Sequence, residues 1–289
     1  MNPVYLVDAS IYIFRSYFSI PDRFRAENGE SVNAVYGYTQ FLLDLIDLKP
    51  EYISVAFDEN VVSCFRNRIY PEYKANRDLP DRNFEFQYDR CREITGLLGF
   101  HNLCLFDYEA DDIIGTLQKI FSLPVTIVTR DKDMGQLLGP EDLLWDFSGN
   151  EYAGPAEVEE KFGVRPDQIA DYLALAGDQV DNIPGAPGIG AKTAATLLRE
   201  FGSVDGIYRS LEEVVDIKLR GAKKVQQILA RHREEVEIYR SITRINCDIP
   251  LDISLNDLKI TPVTMDAFLD FCDRMAFGNR IRDRVKAIP

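Results

Sequence analysis

The chain has few cysteines, and those it has are scattered. Its 289 residues include five cysteines, an odd number, and none of them stands in a Cys-x-x-Cys pair. This usage suggests neither a disulfide framework nor a thiolate zinc site, so we interpret the cysteines as small buried apolar side chains. No stretch approaches the roughly 20 consecutive apolar residues of a membrane span, and no low-complexity tract is present. The sequence therefore predicts a globular protein that does not enter a membrane.

The sequence also lacks the features of a secretory signal peptide. Met-Asn-Pro is followed at once by the strand-like run Val4–Val7, with no basic region ahead of a long apolar core. We therefore predict a cytoplasmic location. A chain of this length is expected to bury one substantial core and to carry a smaller attached lobe.

Basic residues are scarce overall. There are 33 Lys and Arg against 47 Asp and Glu, giving a net charge of −14, which is the opposite of what phosphate binding usually requires. One segment reverses this balance, because residues 216–244 contain eight basic and four acidic residues. It includes a predicted long helix, Lys223–Ile242, with a possible phosphate-facing surface. Bound divalent cations would neutralise part of the remaining acidity, so the net charge does not exclude a nucleic-acid partner.

Strand-like and helix-like patterns alternate in the first half of the chain. Amphipathic stretches such as Asn33–Leu48 and Asp111–Phe121 separate four short apolar runs, which are Val4–Val7, Tyr52–Phe57, Asn102–Phe106 and Val125–Thr129. This alternation predicts an α/β fold with a parallel sheet. Helical patterns dominate after residue 151. We therefore predict a core at 1–150, with an irregular, basic and aromatic insertion between Asn60 and Phe86, and a helical lobe at 151–289.

Acidic residues follow the predicted strands. Asp8 and Asp58 end the first two runs, Asp131 and Asp133 follow the fourth, and Glu109, Asp111 and Asp112 open the helix after the third. The carboxyl ends of parallel strands meet at one sheet edge, so these side chains are predicted to converge there. A further pair, Asp178 and Asp181, stands three residues apart before a glycine-rich run.

Each of these acids alone has a plainer interpretation. A single Asp after a strand is more commonly a turn residue or a helix cap than a metal ligand, and the acids from 109 to 112 could simply favour a helix N-terminus. Nine converging carboxylates would repel one another unless cations lay among them. Oxygen-only ligands suit Mg²⁺ or Mn²⁺, and two such ions can activate a water and stabilise a leaving oxygen of a phosphodiester.

Two further segments suggest a nucleic-acid surface. The run Ile183–Ala194, here called the glycine hairpin, has the form of a helix-hairpin-helix, in which Gly188 and Gly190 admit a phosphate to a helix start and Lys192 adds a cation. In the basic insertion, Tyr73 offers a face for stacking, and Lys74 and Arg77 could face a scissile phosphate. The alternatives are a ligand-free turn between packed helices and a solvated loop.

Taken together, the motifs resemble the 5′ nuclease (flap endonuclease) family, and within it the N-terminal 5′-3′ exonuclease domain of bacterial DNA polymerase I and its free-standing relatives. The resemblance covers nearly the whole chain. Its motifs are Leu-Val-Asp-Ala-Ser at 6–10, Phe-Asp at 57–58, Phe-Arg at 65–66, Tyr-Pro-Glu-Tyr-Lys-Ala-Asn-Arg at 70–77, Glu-Ala-Asp-Asp at 109–112, Asp-Lys-Asp-Met at 131–134, Gly-Asp-Gln-Val-Asp-Asn-Ile-Pro-Gly at 177–185 and Pro-Gly-Ile-Gly-Ala-Lys-Thr at 187–193.

The resemblance implies a PIN-like nuclease core, a helical arch at about 60–95 and a helix-three-turn-helix lobe whose hairpin spans 177–202. It implies two divalent ions, Mg²⁺ or Mn²⁺, held by the nine acids, and arch cations Lys74 and Arg77 that stabilise the transition state. It also implies a K⁺ in the hairpin, bound by the backbone carbonyls of Leu175, Ala176, Pro184, Ala186 and Ile189. The implied DNA-binding residues are Arg66, Tyr73, Gly188, Ile189, Gly190, Ala191, Lys192 and Thr193.

The function implied is a structure-specific 5′-3′ exonuclease and flap endonuclease of DNA replication and repair. It would act as a monomer on branched, flapped or nicked DNA, with a DNA polymerase and a ligase as functional partners. Arg130 departs from the family pattern, which usually has glycine there, and could alter the neighbouring metal site. The rivals are a PIN-type ribonuclease and a non-catalytic DNA-junction binding protein. The sequence leaves open whether the chain is free-standing or a polymerase domain.

Overall fold

A computed structural model describes residues 3–59, 64–77 and 81–288. The strands are β1 (Val4–Asp8), β2 (Tyr52–Asp58), β3 (His101–Leu105), β4 (Val125–Val128), β5 (Leu143–Asp146) and β6 (Glu151–Ala153). The α-helices are α1 (Ala9–Ser19), α2 (Asn33–Asp47), α3 (Phe65–Ile69), α4 (Arg82–Leu97), α5 (Ala110–Phe121), α6 (Pro155–Phe162), α7 (Ile169–Ala176), α8 (Ala191–Phe201), α9 (Val204–Arg209), α10 (Ala222–Arg231), α11 (Arg233–Thr243), α12 (Met265–Arg274) and α13 (Asn279–Lys286). Parts of the predicted arch, 60–63 and 78–80, lie outside the described residues.

The four predicted strands and the two predicted helices of the first half are confirmed as β1 to β4, α2 and α5. The single long helix predicted from Lys223 to Ile242 is wrong. The chain leaves helical geometry at His232, where φ is −110° and ψ is 29°, and α11 then begins at Arg233. In the described part of the chain, no helix has both the length and the apolar character needed to cross a membrane.

Contacts divide the chain into two compact units. Residues 3–59, 81–129 and 247–288 form one unit, here called the sheet unit, and residues 64–77 and 130–246 form the other, here called the helical unit. The predicted division of the chain near residue 150 stays a prediction.

The sheet unit is built around four parallel strands in the order β3-β2-β1-β4. Buried parallel strands read as continuous apolar runs, and Val4, Leu6 and Val7 of β1 are fully buried. The register places Asp8 opposite Ala56 and Asp58 opposite Leu105, so both acids stand at the carboxyl ends of their strands.

Helices cover the sheet and return to it at the end of the chain. Helix α2 packs against α1 and α4, and α12 packs against α4. The Arg274 guanidinium forms an ion pair with Glu93, and the Thr261 N–H donates to the Gly99 carbonyl at 2.9 Å. These contacts place the C-terminal segment in the sheet unit.

The helical unit contains α3, α6 to α11 and the antiparallel pair β5–β6. Helix α7 packs against α8 and α11. Its Asp171 carboxylate is buried and lies 2.9 Å from the Arg240 Nε of α11. A buried charge needs such a partner, so this pair ties the centre of the unit together.

The glycine hairpin approaches the end of α7 so closely that only glycine fits there. Gly177 has φ of 82°, and a Cβ at this position would lie 2.6 Å from the Pro184 carbonyl oxygen. Gly185 has φ of 69°, and a Cβ there would lie 2.4 Å from the Gly177 nitrogen. The two backbone segments therefore meet in direct contact.

We expect Gly177→Ala to destabilise the protein more than Gly202→Ala. Both glycines have a positive φ, 82° and 83°, with ψ of 164° and −37°, so both variants carry a backbone cost of about 1–3 kcal/mol. A Cβ at Gly202 meets no atom within 4 Å, whereas one at Gly177 clashes with backbone and adds about 1–3 kcal/mol. Urea denaturation measures the difference, and equal losses in the two variants would contradict the close approach.

Candidate functional site

Two acids of the sheet unit are fixed at the carboxyl edge of the sheet by hydrogen bonds. The buried Asp8 carboxylate accepts from the Thr129 hydroxyl at 3.1 Å. The Asp58 carboxylate accepts from the Ser10 hydroxyl at 2.5 Å and from the Ala110 N–H at 2.8 Å. Asp58 thus links β2 to the starts of α1 and α5.

The acids at the start of α5 share the same unit but differ in role. Glu109 is the N-cap residue of α5, and its N–H donates to the Asp112 carboxylate at 3.1 Å in a capping box. Asp112 is fully buried, and its carboxylate caps the start of α5. This agrees with the plainer interpretation that these acids favour a helix N-terminus. Asp111 precedes Asp112 and is only partly buried. The Asp58 carboxylate thus meets the start of α5, and the wider convergence predicted for these acids stays a prediction.

In the helical unit, Asp178 and Asp181 lie in one tight turn, here called the acid turn (residues 178–183). Asp178 and Ile183 exchange two backbone hydrogen bonds, of 2.8 and 2.6 Å. The Val180 N–H donates to the Asp178 carboxylate at 2.8 Å, which is an Asx-type turn. The turn holds both carboxylates in fixed positions.

Segment 64–77 of the predicted arch docks on the acid turn. The Lys74 N–H donates to the Asp181 carbonyl at 3.0 Å, Asn76 donates to the Gln179 carbonyl at 2.9 Å, and Asn182 donates to the Glu72 carbonyl at 2.7 Å. Three hydrogen bonds to main-chain carbonyls thus join the segment around Lys74 to the acid turn, which lies about a hundred residues later in the chain.

This docking sets cations against Asp181. The Arg77 guanidinium lies 2.6 Å from one carboxylate oxygen, and the Lys74 ammonium lies 4.0 Å from the other. The Lys74 side chain is only 16% exposed, whereas that of Arg77 is 43% exposed. Arg77 can therefore reach solvent while it contacts Asp181.

Asp131 and Asp133 join this group of charges. Burial raises the pKa of Asp131, and the nearby charges of Asp181 and Asp178 raise it further. Burial and the charges of Asp131, Asp178 and Asp181 raise the pKa of Asp133 to about 8, although Lys74 opposes the shift. Burial likewise raises the pKa of Asp178. Asp131, Asp133 and Asp178 therefore lie close enough to other carboxylates, including that of Asp181, for their own charged forms to be disfavoured.

No three His, Cys, Asp or Glu side chains within residues 3–59, 64–77 and 81–288 already stand in an arrangement that could hold a metal ion. The predicted ligand set stays a prediction. The donor chemistry nevertheless fits a hard divalent cation, because these acids are all oxygen donors and the pKa values of Asp131, Asp133 and Asp178 are raised. A bound cation would restore the ionised form that their burial disfavours.

Arg130 does not point its charge at an acid of the predicted metal set. Its Nε atom lies 3.0 Å from the Asp146 carboxylate at the end of β5. Asp146 also accepts the Ser148 and Gly149 N–H groups. Arg130, which stands where the family usually has glycine, is thus paired with a carboxylate in the turn of the β5–β6 hairpin.

The glycine hairpin exposes the groups expected to meet DNA. Gly188, Gly190, Ala191 and Lys192 are exposed, while Ile189 is buried at 2%. The N-cap of α8 is Gly190, so no side chain caps the helix, and the first N–H groups of an α-helix have no partner within it. The Thr193 N–H donates back to the Gly190 carbonyl. The start of α8 is therefore suited to a phosphate.

The carbonyls proposed for K⁺ lie around the contact between α7 and the hairpin. The Leu175 carbonyl accepts the Ala186 N–H at 2.9 Å, and the Ala186 carbonyl accepts the Ile189 N–H at 2.9 Å. Each oxygen keeps a second lone pair. The Pro184 carbonyl lies against Gly177, the residue that follows Ala176. These oxygens are compatible with a cation site, and the K⁺ assignment stays a prediction.

Arg66 and Tyr73 are not placed as surface DNA contacts. Arg66 is 3% exposed, and its Nε donates to the Ile242 carbonyl at 2.8 Å. Tyr73 is 4% exposed and packs with Cys64, Ile183 and Ile242, while its hydroxyl donates to Asp181 at 3.1 Å. The predicted stacking face of Tyr73 is buried, so this part of the interpretation is corrected: both side chains support the acid turn.

Sequence reasoning missed several supporting residues. Ser10, Thr129, Asn76 and Asn182 position acids or the acid turn by hydrogen bonds. Asn182 has a positive φ of 58°, a conformation that Asn tolerates, so its place in a turn was a readable signal. The partners of the other three are tertiary and carry no local signal.

Comparison with known proteins places this geometry in a family. Residues 3–163 match the model of the 5′-3′ exonuclease N-terminal resolvase-like domain, and residues 164–266 match that of the 5′-3′ exonuclease C-terminal SAM fold. The chain is 35% identical to a 5′-3′ exonuclease of Aquifex aeolicus, over 90% of this chain and 87% of that one. The chain belongs to the 5′-3′ exonuclease family.

Other relatives are longer. The chain is 34% identical to DNA polymerase I of Rhizobium leguminosarum over 96% of its own length, but it spans only 28% of that polymerase. A structure of the bacteriophage T5 flap endonuclease with DNA and metal ions shares the fold, with a TM-score of 0.68 and 20% identity over 99% of this chain and 97% of that one. The family, the α/β fold with a helical C-terminal part and the nuclease class predicted from the motifs are confirmed.

We expect Arg66→Met to destabilise the protein and Arg77→Met to leave its stability almost unchanged. Arg66→Met deprives buried carbonyls of a charged donor, which costs about 2–4 kcal/mol. The Arg77 pair is exposed and contributes about 0–1 kcal/mol. Urea denaturation of the two variants checks the contrast. Similar stabilities would mean that Arg66 is not a structural residue.

Proposed function

We propose that this chain is a structure-specific 5′-3′ exonuclease and flap endonuclease that hydrolyses DNA phosphodiester bonds near the junction of a 5′ single strand and a duplex. The products are a 5′-phosphate and a 3′-hydroxyl. Family membership supports the reaction class. The observation that carries the proposal is the helical unit's group of four mutually repelling acids beside Lys74 and Arg77.

Both sets of acids are proposed to hold divalent ions, Mg²⁺ or Mn²⁺. The sheet unit contributes Asp8, Asp58, Glu109, Asp111 and Asp112, and the helical unit contributes Asp131, Asp133, Asp178 and Asp181. When bound, a pair of such ions activates the attacking water and stabilises the leaving oxygen. The phage T5 flap endonuclease, a neighbour in fold, has been solved with metal ions, which supports a metal cofactor.

Lys74 and Arg77 are proposed to stabilise charge on the scissile phosphate. Arg77 is the more exposed of the two and can leave Asp181 for a phosphate oxygen, because a surface ion pair has little net stability. Lys74 is held by its backbone bond to Asp181, so its ammonium is positioned before substrate arrives. The buried hydroxyl of Tyr73 keeps Asp181 in place.

The glycine hairpin is proposed to bind the duplex backbone through the start of α8 and Lys192. A K⁺ ion held by carbonyls of Leu175, Ala176, Pro184, Ala186 and Ile189 would add positive charge there. This contact reads phosphates and not base edges, in keeping with a structure-specific enzyme.

The proposed setting is DNA replication and repair. The DNA polymerase I relatives contain a region similar to this chain within a longer polypeptide, which supports a functional link to a polymerase. We further propose that the protein acts as a cytoplasmic monomer and that a ligase acts on the DNA after it.

We expect Asp131→Asn and Asp178→Asn to lower the rate of cleavage of a labelled 5′-flap DNA in Mg²⁺ by at least about a hundredfold, since losing an ion removes several kcal/mol of transition-state stabilisation. DNA binding in EDTA should persist. Stability in EDTA should not fall, because each change removes one of several repelling charges.

Asp167→Asn is the matched control, since Asp167 is an exposed acid of the same unit that pairs with Arg165. It should cleave like the unmodified protein. Full activity in both test variants would overturn the metal assignment. Faster cleavage of an RNA flap would point to a ribonuclease, and DNA binding without cleavage or divalent-ion binding would point to a junction-binding protein.

We expect binding of duplex-containing DNA in EDTA to weaken several-fold when KCl is replaced by tetramethylammonium chloride at equal ionic strength. The larger cation cannot enter a cage of carbonyl oxygens, so the hairpin would lose its ion. Fluorescence anisotropy measures the change, and a single-stranded oligonucleotide serves as the control. Equal affinity for the duplex in both salts would show that the hairpin binds DNA without K⁺.

A further inference from the structure

A separate cavity of about 420 Å³ lies in the helical unit beside α9 and the start of α11. Its lining residues are Asp205, Tyr208, Arg209 and Arg233. A water occupies about 30 Å³ in the liquid, so the cavity has room for a phosphate-sized group and several waters. Arg209 and Arg233 are exposed, which leaves the cavity open to solvent.

Two cations of the cavity lack an acidic partner. The Arg233 guanidinium lies 4.8 Å from the centre of the Tyr208 ring, and the Arg209 Nε donates to the Asp205 carbonyl at 3.3 Å. Across the described ranges 3–59, 64–77 and 81–288, no carboxylate forms an ion pair with either side chain. Both guanidinium groups keep donors available for an anion.

The acids near the cavity are already paired. Arg240 donates to both Asp205 oxygens, at 2.9 and 2.7 Å, and lies 3.4 Å from Glu237. Glu235 lies 3.2 Å from His232. Arg209 and Arg233 are therefore the lining cations without an ion-pair partner, although the Asp205 carboxylate, which is paired with Arg240, lines the same cavity.

The Tyr208 hydroxyl is a buried polar group without a partner. Tyr208 is 8% exposed, and its hydroxyl makes no hydrogen bond to any described residue. Burial raises the pKa of Tyr208, so the group keeps its proton and can donate. Buried polar groups are normally satisfied, and an anion in the cavity would accept this donor.

We propose that this cavity binds a phosphodiester group of the DNA substrate through Arg209, Arg233 and the Tyr208 hydroxyl. The inference rests on the proposed function, because it assigns a second backbone contact to the same substrate. Helix α8 has 11 residues and a length of about 16 Å, and α9 follows it closely, so the contact is distinct from the one at the start of α8.

The test is the salt dependence of binding to a 5′-flap DNA in EDTA, with NaCl varied at a fixed KCl concentration. Each phosphate contact contributes about 0.9 to the slope of log affinity against log salt. The double variant Arg209→Gln with Arg233→Gln should lose about 1 unit of slope and about tenfold in affinity at low salt. Because the lost contact is to the substrate, the double variant should raise the KM for flap-DNA cleavage in Mg²⁺ more than it lowers kcat.

Arg165→Gln is the matched control, because it removes one exposed positive charge of the same unit away from the cavity. Its slope should not change. An unchanged slope in the double variant, or an equal loss in the control, would overturn the proposal. If the unmodified protein failed to bind flap DNA at all, the proposed function itself would fail, which is a distinguishable result.

Tyr208→Phe gives an independent readout. Because the hydroxyl has no protein partner, its removal should leave stability unchanged or raise it, while DNA affinity falls a few-fold. Lower stability with unchanged affinity would contradict the assignment. Calorimetric titration with inorganic phosphate distinguishes a DNA phosphodiester from free phosphate as the ligand. The cavity would be a small-anion site if the double variant abolished phosphate binding but left the DNA salt slope unchanged. That result would overturn the DNA assignment.

Discussion

The burial of like charges in the helical unit determines which ligand its acids favour. Asp131, Asp133 and Asp178 are partly removed from water and lie near Asp181, so that the pKa of Asp133 rises to about 8. Lys74 and Arg77 offset only part of this repulsion. Clustered carboxylates whose charged forms are disfavoured are stabilised most by a hard divalent cation. The fold is thereby linked directly to the proposed chemistry.

The rest of the unit serves to hold those charges still. The acid turn closes on itself through Asp178 and Ile183, and the segment around Lys74 docks on it through main-chain hydrogen bonds. Arg66 and Tyr73 support this contact from the buried side. Fixed groups of this kind need little reorganisation when substrate arrives, which is how a site gains transition-state stabilisation.

Much of this could be predicted from the sequence because the signals are local. The strands are short apolar runs, and acids such as Asp8 and Asp58 follow them, so the topology of a parallel sheet brings them to one edge. The glycine pattern likewise marked the hairpin. Arg66 and Tyr73 were misjudged because a basic and aromatic segment looks exposed, and burial is decided by distant partners such as Ile242. The helix break at His232 was missed because the apolar spacing of Val225, Leu229 and Val236 continues across it.

The central claim is that the acids of the helical unit hold a divalent ion. The most direct measurement is the anomalous scattering of a crystal grown or soaked in millimolar Mn²⁺. We predict an anomalous peak within bonding distance of carboxylate oxygens of Asp131 and Asp178, and its loss in Asp131→Asn. A well-ordered acid turn with no Mn²⁺ peak near any of its carboxylates would contradict the account.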